Sequence, residues 1–118
     1  MFEKEERNFD LYLKDMLLSI ERIEEYVNGL DFLKFKQNYL VVDGVCRNFE
    51  IIGEAAKMIP IEIQVKYPQL PWRKMYGLRN LISHEYFGID YEILWEIATK
   101  NLPKDKVELE YIISIECR

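Results

Sequence analysis

Glycine and proline are scarce in this chain. Five glycines and four prolines among 118 residues leave little room for linkers, and no repeat or low-complexity tract is visible. One domain spanning residues 1–118 is expected, long enough to bury a real core. Cysteine is nearly absent too. Cys46 and Cys117 are far apart and form no C-x-x-C pair. That argues against a disulfide framework and favours free thiols in a reducing cytoplasm. Cys46 reads as a small buried residue rather than a nucleophile. No apolar run approaches the length of a membrane span. The N-terminus, MFEKEERNFD, is charged and lacks the apolar stretch of a signal peptide. Histidine occurs once, at His84, and no cluster of metal-ligand residues is present, so neither metal nor cofactor is expected.

A net positive charge is also missing. The formal net charge of −5 argues against general affinity for nucleic acid. The distribution is more informative than the sum. Residues 1–31 carry nine acids against four bases, whereas Ile63 to His84 contains no acid and holds Lys66, Arg73, Lys74 and Arg79. The only extended acid-free stretch therefore leads into the only histidine. A solvated basic face and a binding surface are both compatible with such a stretch.

What the chain has in abundance is helical periodicity. Hydrophobic residues make up 49% and charged residues 31%, a soluble globular balance. Phe9, Leu13, Met16, Leu17, Ile20, Ile23 and Val27 recur at three- and four-residue spacing, which predicts a helix from about Glu5 to Asn28. Gly29 stops it, and Asp31 caps a short turn through Phe32 and Phe35. A second long helix is expected over Asn38–Ile59, with Val42, Val45, Cys46, Phe49, Ile52, Ala56 and Ile59 inward. Its small residues Gly53, Ala55 and Ala56 would admit another helix closely, and Pro60 ends it. Arg47, Glu50 and Glu54 form a separate polar stripe. They read either as an intrahelical salt-bridge ladder or as a support for a site through Glu54.

A short helix is expected over Ile61–Lys66, and Pro71 suits the first turn of the next. Trp72, Met75, Tyr76, Leu78, Leu81 and Ile82 carry that helix to His84. Gly88 marks a break, and Asp90 caps a helix with Ile93, Leu94, Ile97 and Ala98 as its core face. Pro103 is expected to interrupt it before a last helix over Lys104–Glu116. No segment alternates with period two. The expected fold is all-α, an up-down helical bundle of four or five main helices.

Arg79, His84 and Tyr86 make the pattern R-x4-H-x-Y. Arginine suits phosphate, and histidine suits proton transfer near neutral pH. Together they suggest phosphodiester chemistry without a metal. Helical geometry constrains the pair, because a five-residue offset places them about 140° apart around one helix. Either the helix ends or bends near Ser83, or the site forms between two chains. Internal transfer in RNA needs a base for the 2′-hydroxyl and an acid for the leaving 5′-oxygen. Two symmetry-related His84 side chains could supply both, with Arg79 stabilising the charge on phosphorus. Tyr86, seven residues beyond Arg79, returns to its side if the helix continues. Ser83 and Asn80 are polar neighbours, and Arg73, Lys74 and Glu54 are candidate supporting residues. A lone histidine and a helix arginine are, on the bland view, structural.

At these residues the chain resembles the HepT-like proteins of the HEPN superfamily, the toxin half of HepT/MntA toxin–antitoxin modules. The resemblance extends to Arg47–Lys57, to Pro71–Asn80, and to Asp90, Trp95 and the Leu102-Pro103 step. It implies a HEPN-like bundle, a two-fold homodimer and metal-independent endoribonuclease activity with Arg79 and His84 as catalytic residues in a cleft between protomers. It also implies a partner, an MntA-like nucleotidyltransferase antitoxin that transfers AMP onto Tyr86. The added charge and bulk would then exclude RNA. The alternative is a non-catalytic helical regulatory or substrate-binding subunit of a nucleotidyltransferase complex. A dimeric interaction protein in which Arg79 and His84 are structural is a blander third.

Overall fold

A computed structural model describes residues 9–84 and 90–117, with side chains for 9–81 and 90–117. Every regular element among them is helical. Helix α1 spans Phe9–Val27 and buries Leu13, Met16, Ile20, Ile23 and Val27, the inward stripe of the sequence pattern. Phe9 and Leu17 lie at its edge, partly buried. Gly29 then adopts φ 79°, a left-handed conformation that costs an L side chain, and the chain turns.

Capping sets the next two helices. Asp31 Oδ1 accepts from the Lys34 amide at 2.8 Å to start α2, Phe32–Gln37. Asn38 Oδ1 accepts from the Val41 amide at 3.2 Å to start α3, Tyr39–Lys57. Each cap contributes about 1 kcal/mol. Burial contributes far more: Phe49 and Ile52 of α3 are completely enclosed, at roughly 1.5–3 kcal/mol each. Helix α3 is the spine of the bundle, with α1 and α5 packed along it.

Helix α4, Ile61–Lys66, follows Pro60. Helix α5, Trp72–His84, closes its first turn with the Met75 amide on the Pro71 carbonyl at 3.0 Å. Buried Trp72 donates Nε1–H to the Tyr67 carbonyl at 2.9 Å, which fixes the start of α5 without leaving a buried donor unpaired. Asp90 caps α6, Tyr91–Glu96, through the Ile93 amide at 3.1 Å.

The interruption expected at Pro103 does not occur. Helix α6 runs through a π-helical segment, Ile97–Asn101, straight into α7, Leu102–Glu116. The Leu102 amide bonds the Ile97 carbonyl, five residues back. This wider turn comes just before the proline, which has no donor and would crowd the carbonyl four residues earlier in a regular helix. Ile93 also departs from expectation. Leu94 and Ala98 enter the core, while Ile93 remains 42% exposed. Trp95 packs on α2 instead, 5.1 Å from the Phe35 ring and 6.4 Å from Phe32. Helix α7 lies along α1, burying Leu109 and Ile112. It is tied down by Lys106–Glu24 at 2.9 Å and by Tyr67 Oη donating to Glu116 at 2.6 Å. No helix among the described residues is long and apolar enough to cross a membrane.

Candidate active site

Helix α5 carries the acid-free part of the motif. Its inward residues, Trp72, Met75 and Leu78, are buried, and Leu81 packs at the core edge. Arg73, Lys74, Tyr76, Arg79 and Asn80 are exposed. The residues that anchor the helix and those that present charge thus occupy different sides of it.

Arg79 sits where α5 passes close to Gly53 of α3. A Cβ added at Gly53 would lie 2.8 Å from the Arg79 backbone nitrogen and 2.8 Å from its Cβ. Only a glycine permits that approach. The next residue of α3, Glu54, reaches Arg79 from this contact, with Oε1 3.6 Å from Nε. Among the described residues Glu54 therefore pairs across helices with Arg79, and the ladder with Arg47 is not formed. The distance exceeds hydrogen-bond range, and the side chains are 48% and 56% exposed. Such a pair adds at most about 1 kcal/mol to stability. The guanidinium therefore stays open to solvent beside the carboxylate.

His84 is the last residue of α5. The helix does not break between Arg79 and His84, so their backbone positions stand about 140° apart and about 7.5 Å along the axis. The side chains of Ser83 and His84 and all of Tyr86 lie outside the described residues. Among the described residues, no three His, Cys, Asp or Glu side chains gather as a metal site would require. Burial pushes the Cys46 thiol up to about 11, with Asp43 and Glu50 adding to the effect. It is a packed thiol rather than a ready thiolate.

Two residues near α5 carry no signal in the sequence pattern. Asp105 and Asn101 line a cleft against Lys74, Leu78 and Leu81. Burial raises the Asp105 carboxyl from 3.8 to about 6, opposed by Lys74 and Lys104. Asp105 lies between two lysines in sequence, where an exposed acid is the default. Its partial burial depends on the tertiary setting of the cleft it lines with residues of α5.

A family described as Ribonuclease HepT-like matches residues 16–112, from within α1 to near the end of α7. The chain belongs to the HepT-like family of the HEPN superfamily. A Methanocaldococcus jannaschii protein named "Putative RNase MJ1380" is 40% identical over 106 residues, covering 90% of this chain and 97% of that one. A Thermococcus cleftensis protein named "Probable ribonuclease HepT" is 37% identical over 99 residues, covering 84% of this chain and 90% of its own length. No solved structure matches the chain. The HepT-like match spans α3 and α5 together, so it includes both sides of the Gly53–Arg79 contact. The all-α bundle is the HEPN-like fold expected from the sequence.

Proposed function

We propose that this HepT-like protein is a metal-independent endoribonuclease, the toxin of a toxin–antitoxin pair. Its cleavage would use Arg79 and His84 at a cleft between two protomers. The observation that carries this reading is the placement of Arg79: exposed on an acid-free helix, seated on Gly53 and paired loosely with Glu54. Family membership and the ribonuclease names of the relatives support it. Arg79 stabilises the charge that develops on the phosphate during attack by the 2′-hydroxyl. One His84 takes that hydroxyl's proton, and the second protonates the departing 5′-oxygen. The continuous helix through His84 favours a two-chain site, because within one helix the two residues face apart. Arg73, Lys74, Asn80 and Ser83 extend the contact to RNA, and Glu54 positions Arg79.

An MntA-like nucleotidyltransferase antitoxin would silence the protein by transferring AMP from ATP to the Tyr86 hydroxyl, releasing pyrophosphate. The new phosphodiester brings negative charge to the place where RNA phosphate must bind. Coexpression should add AMP mass to a Tyr86 peptide, and a Tyr86→Phe protein that still gains it refutes the assignment.

The deciding experiment is RNA cleavage in EDTA. Wild type should cut and leave 2′,3′-cyclic phosphate ends, while His84→Ala should be inactive with an unchanged melting temperature. Loss of wild-type activity in EDTA, or full activity in His84→Ala, sinks the mechanism. The net charge of −5 favours a second reading, a non-catalytic subunit of the transferase complex. That reading predicts no cleavage by wild type and an intact complex with the transferase after His84→Ala.

A further inference from the structure

A cleft of about 360 Å³ opens between α5 and the π-helical segment. Its walls are apolar, from Leu78 and Leu81 of α5, Ile93 of α6 and Ile97. The exposed Ile93 thus has a place outside the core. Three polar side chains meet the cleft: Lys74, Asn101 and Asp105. Asp105 is partly desolvated and makes no hydrogen bond with the described residues. A carboxylate in that condition costs stability, and such groups concentrate where a ligand supplies the missing donors. The wall that bears Ile97 and Asn101 is π-helical, a local geometry frequent at functional sites. The volume lies at the small end of the roughly 300–1,000 Å³ range of ligand pockets, which suits one planar ring system.

We infer that this cleft receives a guanine base of the RNA substrate, its Watson–Crick edge held by Asp105. The inference rests on the ribonuclease reading above and adds a base preference to it. The donor pattern selects the base. A carboxylate only accepts and an ammonium only donates. Guanine presents two adjacent donors, N1–H and N2–H, for the carboxylate, and an O6 acceptor beside them for Lys74. Adenine and cytosine each place a ring-nitrogen acceptor next to their single amino group, where it would face the carboxylate. Uracil offers one donor between two acceptors. The aliphatic walls cover the base faces by apolar contact. Leu81 lies three residues before His84 on the same helix, so a base in the cleft sets its phosphates alongside the motif.

The test measures binding of GMP, IMP, AMP, CMP and UMP to the full chain by calorimetry, together with cleavage-site mapping on an RNA of defined sequence. GMP should bind at least about ten-fold more tightly than AMP, with IMP, which lacks the N2 amino group, in between. Asp105→Asn relieves a partly buried charge and should fold well. It should erase the GMP preference and the bias of cuts toward guanine. Equal affinity for all five nucleotides, or a cleavage map unchanged by Asp105→Asn, overturns the guanine site. RNA cleavage without guanine preference would leave the ribonuclease reading standing. A GMP preference abolished by Asp105→Asn in a protein that cuts no RNA upholds the site and refutes that reading.

Discussion

At the residue scale, neither Arg79 nor Asp105 holds the fold together. Arg79 is half exposed, and its 3.6 Å approach to Glu54 is too long and too wet to stabilise the bundle appreciably. Arg79→Lys keeps the charge and loses the planar fork that grips phosphate. It should lower RNA cleavage by about 100-fold or more, with the melting temperature within a few degrees of wild type. A large fall in melting temperature would instead make Arg79 a structural residue. Asp105 opposes folding. Its carboxyl holds a proton more tightly in the folded chain, at about 6, than at its ordinary 3.8. Well below pH 3.8 the group is protonated in both states and carries no penalty. As pH rises toward 6 the unfolded state ionises first, and folding loses stability. Asp105→Asn should therefore be more stable than wild type at pH 7, by up to about 2 kcal/mol, less any solvent screening. That advantage should shrink as pH falls through 3.8 and be absent by about pH 2.5, which denaturant titrations at those two extremes would check.

At the element scale, the α3–α5 contact decides where Arg79 stands. Gly53→Ala places a methyl 2.8 Å from the backbone of α5. Backbone cannot rotate away as a side chain can, so the helices must separate, at a cost of about 1–3 kcal/mol. On the proposed mechanism RNA cleavage should fall with stability, because α5 carries Arg79. Gly77→Ala is the contrast. A Cβ there meets nothing within 4 Å, so the helix should gain about 0.5–1 kcal/mol. Thermal melting of the two variants separates helix propensity from helix proximity. Equal effects would show that the close approach is not rigid. The π-helical segment acts at the same scale. It lets one helical run pass Pro103 and places Ile97 and Asn101 beside α5.

At the scale of the whole molecule, the net charge is −5, while Arg73, Lys74 and Arg79 are exposed together on α5, the helix proposed to meet RNA. If two protomers share each site, activity depends on pairs. Mixing wild type with excess His84→Ala and allowing subunits to exchange should reduce activity below the simple dilution of wild type. Activity that falls in strict proportion to the wild-type fraction would place a complete site in each chain.

The sequence by itself determined the class of fold and the inward face of nearly every helix. Val42, Val45, Phe49 and Ile52 are buried as their spacing requires, and Asp31, Asn38 and Asp90 start helices as their side chains allow. These are local consequences of helical period and capping, readable from neighbours in the chain. The R-x4-H-x-Y pattern was also visible there. Tertiary structure alone decided that Glu54 faces Arg79, that Gly53 must be a glycine for Arg79, and that Asp105 is drawn into a cleft with Lys74. Each joins residues of different helices, and their relation depends on how close those helices pack. It decided Ile93 and Pro103 too, since a face is buried only if another element covers it, and a proline is tolerated only if the turn before it widens.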